Sequence, residues 1–179
     1  MAEAFSNKLT RAAGIVTTSS SGVVGIGTTI ITGISTVGVA VSDLVDNTNF
    51  IAGTKVSAIG INTVYADRDS TNTAAASAQI FKFLGMTTAY TSAASTKSVL
   101  IGGTFANNTA NSVNLTVEIH DASAGIQAAL ASKIPVPTGS SFVISEAGKT
   151  ILEGTDEVRV FCDTANAIDV NLSILTGVS

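Results

Sequence analysis

Val113-Asn-Leu-Thr-Val-Glu-Ile-His120 alternates apolar and polar residues without a break. Successive side chains of a strand point to opposite faces, so this stretch has one face for a core and one for solvent or a partner. The same period recurs further along. Val158, Val160 and Cys162 alternate with Glu157, Arg159, Phe161 and Asp163. Ile168, Val170, Leu172 and Ile174 alternate with Asp169, Asn171 and Ser173. Val99 to Phe105, Ala128 to Val136, Ser141 to Ile144 and Thr150 to Leu152 supply further strands. The turns between them are Asn107 to Asn111, Asp121 to Gly125, Pro135 to Gly139, Glu146 to Gly148 and Glu153 to Asp156. Pro135 and Pro137 mark their strand as an edge, because proline cannot donate to a ladder. Short strands divided by turn signals predict an all-β fold, an antiparallel β-sandwich over 87–179, with the jelly roll among its forms.

Upstream the pattern is shorter and richer in glycine. Gly22-Val-Val-Gly-Ile-Gly-Thr-Thr-Ile-Ile-Thr-Gly-Ile34 is β-branched and punctuated, and Val37, Val39 and Val41 keep a period of two. Asp46 to Asn49 and Asp67 to Asn72 read as turns, with strands around Val56 to Ile59 and Val64 to Ala66. These residues predict a second, smaller Gly-rich β unit over 14–73. A connector follows over 74–86. Its Ala74 to Ala78 favours helix, but Ile80-Phe-Lys-Phe-Leu84 reads as a strand in this β surrounding. Residues 1–13 read as an N-terminal arm, either a helical turn or a segment that orders on a partner. Phe5 and Leu9, four residues apart beside Lys8 and Arg11, are its candidate anchoring residues.

Only 12% of residues are charged, about half the usual share. Ser, Thr, Asn and Ala must make the surface. The net charge of -4 leaves no basic footprint, so no direct nucleic-acid contact is expected. Aromatics are 5% and Trp is absent, which is sparse for stacking on bases or sugars. Glycines, Thr and Ser interrupt Gly22 to Val41, which does not read as a membrane helix. Met1 to Arg11 has no apolar signal-peptide core, so synthesis in the host cytoplasm is expected. Cys162 is the one cysteine and cannot form an internal disulfide.

Motifs for chemistry are weak. His120 is the one histidine. It falls on the polar phase of its strand and reads as an ordinary exposed side chain, although Ser and Asp neighbours are common. One His and one Cys cannot form a zinc site. Cys162 falls on an apolar phase and reads as a buried thiol. Gly25-Ile-Gly27-Thr-Thr-Ile30 lacks the third glycine of a dinucleotide loop. Asp43, Asp46, Asp67, Asp69, Asp156 and Asp163 carry oxygen ligands, without the spacing of a calcium loop. The Asn107, Asn114 and Asn171 sequons are chance matches in so Asn- and Thr-rich a chain. No catalytic, cofactor-binding or metal-binding residues are expected, and the chain reads as non-enzymatic.

A resemblance adds an expected role. Asn107-Asn-Thr-Ala-Asn-Ser-Val-Asn-Leu-Thr-Val-Glu-Ile-His-Asp121, Ile134-Pro-Val-Pro-Thr-Gly-Ser-Ser141, Gly148-Lys-Thr-Ile-Leu-Glu-Gly-Thr-Asp156 and Asp169-Val-Asn-Leu-Ser-Ile-Leu175 resemble a domain of small virion structural proteins of T4-like cyanophages and related marine tailed phages. In that pattern a Gly-Asp pair precedes the penultimate strand, whereas Gly154-Thr-Asp156 is one residue longer. Phe50-Ile-Ala-Gly-Thr-Lys-Val-Ser-Ala-Ile59 resembles a β module of phage fibre and tail proteins. The resemblance implies a virion structural protein, a neck or tail subunit that forms homo-oligomers and contacts other virion proteins. Capsid decoration is the alternative it implies. A glycan-binding adhesin module is the more distant one, which would need an exposed aromatic platform.

Overall fold

The computed structural model describes residues 3–18, 20–71, 77–145 and 149–178. The chain begins with β1 (Ala4–Ala13). It then runs through β2 (Ile15–Thr18), β3 (Val23–Val24), β4 (Ile30–Thr32), β5 (Leu44–Asp46), β6 (Val56–Gly60), β7 (Thr63–Ala66) and β8 (Lys82–Gly85). It continues through β9 (Thr87–Thr91), β10 (Lys97–Asn107), β11 (Val113–Asp121) and β12 (Ile126–Val136). It ends with β13 (Ser141–Ile144), β14 (Thr150–Leu152), β15 (Glu157–Cys162) and β16 (Ile168–Val178). The described residues hold strands and no helix, so the fold is all-β. The chain divides into two compact units, Ile15–Met86 and the remainder.

The larger unit is a sandwich of two antiparallel sheets. One has the order β1-β16-β10-β13, with β14 also on β10; the other has the order β12-β11-β15-β9. β13 and β14 pair with successive stretches of β10, Gly103 to Ala106 and Ser98 to Leu100, and act as one interrupted strand. Followed from its tip, the unit is a single long hairpin. β11 pairs with β12, β10 with β13 and β14, β9 with β15, and β1 with β16, all antiparallel. Winding such a hairpin into two sheets gives the jelly roll.

The alternating residues fill the space between the sheets. Val113, Leu115, Val117, Val158, Val160, Cys162, Ile168, Val170, Leu172 and Ile174 are all buried there with Leu100, Phe105 and Leu152. Gly103 is closely packed there, since a Cβ would come within 2.7 Å of Leu172 Cδ2. The polar phase of β11 is less exposed than alternation implies. Thr116 and Glu118 are buried, as is Phe161, the cross-strand neighbour of Thr116. The backbone N–H of Lys133 donates to Thr116 Oγ1 where β12 loses register against β11.

The smaller unit has two short sheets, β2-β8-β5 and β3-β4-β7-β6. Its core is Val24, Ile31, Ile34, Val39, Val45, Phe50, Val56, Val64, Ala66, Phe81 and Phe83. Phe50 and Phe81 meet edge to face at 6.4 Å. Residues 80–84 lead into β8, as the strand reading expected, so this stretch belongs to the smaller unit and is not a connector. Ala74 to Ala76 and the turn at Glu146 to Gly148 lie outside the described residues.

The expected N-terminal arm is corrected. Ala4 to Ala13 pairs with β16 through seven regular positions, Ala4↔Thr176 to Thr10↔Val170, and again at Ala13↔Ile168. The inward phase of β1 is Ser6, Lys8 and Thr10, which are polar, so no apolar alternation advertised a strand. The smaller unit is therefore an insertion after the first strand of the jelly roll. Its two ends meet, because Gly14 N–H donates to Thr87 Oγ1 at 3.3 Å. Gly14 holds φ +121, and a Cβ there would come within 2.5 Å of Thr164 O; only glycine suits that crossing.

Removing residues 1–12 strips β16 of its neighbour on one side. We expect a lower melting temperature and faster amide exchange across Ile168 to Thr176. Circular dichroism melting with exchange mass spectrometry reads both. An unchanged melt would mean that the segment behaves as a dispensable arm.

Candidate docking surface

The outer face of the β1-β16-β10 sheet carries apolar side chains where a solvated face would be polar. Phe5 and Leu9 share it, being an even number of residues apart in one strand. They are 77% and 74% exposed. Phe5 pairs with Leu175, Leu175 with Val99, and Val99 with Ile151. One apolar row thus crosses β1, β16, β10 and β14 without a polar interruption. A second row runs Leu9, Asn171, Thr104 and Val143. Ile151 and Val143 are 64% and 56% exposed at its far side. Exposed apolar residues scattered singly need no explanation, but a contiguous row on one sheet face is a candidate docking surface.

Between the two rows the face is small and uncharged, with Asn7, Ser173 and Gly102. Ser173 Oγ donates to Asn7 Oδ1 at 3.4 Å, and Thr176 Oγ1 to the Ala4 carbonyl at 3.2 Å. A hollow of about 260 Å³ lies among Phe5, Ser6, Asn7, Ser173 and Ile174. The exposed Lys97–Glu153 ion pair, 3.3 Å, stands two residues along from Val99 and Ile151 at one end of the face, and at the other end the charged Asp169 is already occupied. Its Oδ1 accepts the Ala12 N–H at 2.9 Å. That bond, with one from Asn108 and the charge of Arg11, holds the carboxyl below the usual carboxylate range. The bond pins β1 where its register shifts between Thr10 and Ala13.

The other residues singled out by sequence lie apart from this face and serve the fold. His120 sits between Gln127 of β12 and Glu157 of β15 in register. It is half-buried, and its Nδ1 is shielded without a hydrogen-bond partner, so no serine or aspartate among the described residues forms a relay with that atom. Cys162 is fully buried, and burial first, then the charge of Asp163, pushes its thiol up to about 11. The aspartates close turns. Asp156 accepts Ala122 N–H and Glu153 N–H at 3.0 and 2.8 Å, tying two turns together. Asp67 accepts Lys55 N–H, and Asp163 accepts Asn114 N–H and its amide. Asp43 accepts Ala40 N–H, though burial raises its pKa overall. Among the described residues no three of His, Cys, Asp and Glu cluster as metal ligands. A strand, β4, follows Gly25 to Gly27, where a phosphate loop needs a helix. Asn107 is buried, with its amide donating to Val136 O and Asn111 O. A further hollow of about 370 Å³ lies among Ser20, Gly33 to Val37 and Asn62 and holds no titratable side chain.

Phe5 and Leu9 were legible as candidates, although as an arm. The sequence presents Val99, Val143 and Ile151 as strand residues and Leu175 only as the end of a virion-like stretch; pairing puts them on one face, and no spacing within a single strand carries that signal.

Two predictions follow from these geometries. Cys162 should resist a colourless-to-coloured thiol reagent at neutral pH and react fully once denaturant is added; fast native reaction would contradict its burial. Asp169 has a depressed pKa, so its stabilisation is complete above the usual carboxylate range and lost as pH falls through the lower folded value. The Ala12 amide should therefore lose exchange protection on acidification, and Asp169→Asn should flatten that dependence, as read by NMR. Comparison with protein-family models, with curated proteins and with solved structures found no match for this chain.

Proposed function

We propose that this chain is a non-enzymatic structural component of a tailed-phage virion, a neck or tail subunit that docks through the outer face of its β1-β16-β10 sheet. The observation that carries the reading is the uninterrupted row Phe5, Leu175, Val99 and Ile151. Such a face buries apolar area on docking and leaves few charges to strip of water, which is the expensive step in forming an interface. The low overall charge and the virion-like stretches Asn107 to Asp121 and Asp169 to Leu175 support it further. Jelly rolls also build lectins and capsid shells, so the topology supports the reading by analogy alone. Contacts with other virion proteins follow from it.

Cryo-electron microscopy of the particle tests the location. Density in a ring at the neck or tail supports the reading; density across the capsid lattice makes the chain a decoration protein. The face is tested by Ile151→Glu with Val143→Glu, two exposed positions whose replacement leaves the core untouched. Incorporation into particles should fall at least about tenfold, the effect of removing 1.4 kcal/mol of binding, with an unchanged melting temperature. Undiminished incorporation would sink the docking role of this face.

A further inference from the structure

The free edge of β1 is self-complementary. Sheet edges present unpaired N–H and C=O groups that another strand can satisfy, and proteins blunt them with bulges, proline or interruptions. Three of the four sandwich edges here are blunted. β12 shifts register twice against β11 and carries Lys133 and Pro135. The β13 and β14 edge is interrupted. β9 is short and shifts register against β15. β1 keeps regular pairing from Ala4 to Thr10, and among the described residues its one sheet neighbour is β16. Lys8 is the one charge in that regular stretch.

We propose that two copies of this chain pair antiparallel through β1, about a two-fold axis at Asn7. That register sets Glu3 against Arg11 of the second copy, a pair of opposite charges, and repeats it on the other side of the axis. Ala4 meets Thr10, and Phe5 meets Leu9, so the outer faces of the two sheets join through two apolar cross-strand pairs. Ser6 meets Lys8. The Ser6 hydroxyl is shielded and without a partner in the single chain, and the ammonium group of Lys8 from the second copy supplies a donor. The two lysines stand diagonally, not directly opposite. A shift of two residues in Cα pairing toward Leu9 or Phe5 loses this match: it sets Phe5 and Leu9 against other partners and parts Glu3 from Arg11. The self-matching pattern selects a second copy over an unrelated strand, and isologous pairing closes on itself as a dimer. The pairing is a property of the isolated chain, so its failure would leave the particle reading standing.

Analytical ultracentrifugation of the full chain over a concentration series tests it. The expected species is a dimer of twice the 18.0 kDa monomer. Asn7→Lys places like charges on the axis at an exposed position and should leave a monomer with an unchanged melt. Glu3→Arg alone or Arg11→Glu alone should weaken dimerisation by about tenfold, since each alters two cross-strand pairs. The double variant Glu3→Arg with Arg11→Glu should restore it. A wild-type monomer at every concentration, a dimer that survives Asn7→Lys, or a double variant as weak as the singles would each overturn the pairing.

Discussion

The antiparallel ladder between β1 and β16 ties the start of the described chain to its end, and much of the architecture hangs on it. It closes the long hairpin whose winding makes the jelly roll. It also covers one side of β16, the strand that supplies Ile168, Val170, Leu172 and Ile174 to the core. A backbone donor or acceptor withdrawn from water without a partner is costly, so each strand in the middle of a sheet needs both neighbours. β16 has β10 on one side and β1 on the other. The Asp169 carboxylate reinforces the far end of the ladder by accepting the Ala12 N–H.

The same ladder sets where the chain leaves the jelly roll. β1 ends at Ala13, and Asn166 N–H and Ala167 N–H donate to the carbonyls of Gly14 and Ala13. With Gly14 also donating to Thr87, the chain leaves the jelly roll and returns to it at adjacent points. An insertion whose ends lie close together leaves the host core intact, the usual condition for tolerating one. The smaller unit has its own core around Phe50, Phe81 and Phe83.

β1 is also where stability and interaction diverge. Its inward phase is polar and half-buried or exposed, so it contributes little to the core before Ala13. Its main chain holds it to β16, while Phe5 and Leu9 are left on the outside. An apolar side chain at an exposed edge adds little to folding and much to contact with another surface. The face formed with Leu175, Val99 and Ile151 and the open edge beside it are two separate surfaces of one strand, one reached across the sheet and one along it.

The alternation in Val113 to His120, Glu157 to Cys162 and Ile168 to Ile174 determined by itself that the chain is β and which residues enter the sandwich core. A strand's side chains obey a local period of two, which any stretch of sequence displays. Turn residues set where those strands end, again by local backbone preference. What the tertiary structure alone decided is which strands lie side by side. The strand role of residues 4–13, the insertion of Ile15–Met86 and the row Phe5, Leu175, Val99 and Ile151 all depend on pairings between residues far apart in sequence. Hydrogen bonds between backbones carry no side-chain signature, and β1, with polar residues facing inward, offered no period to read.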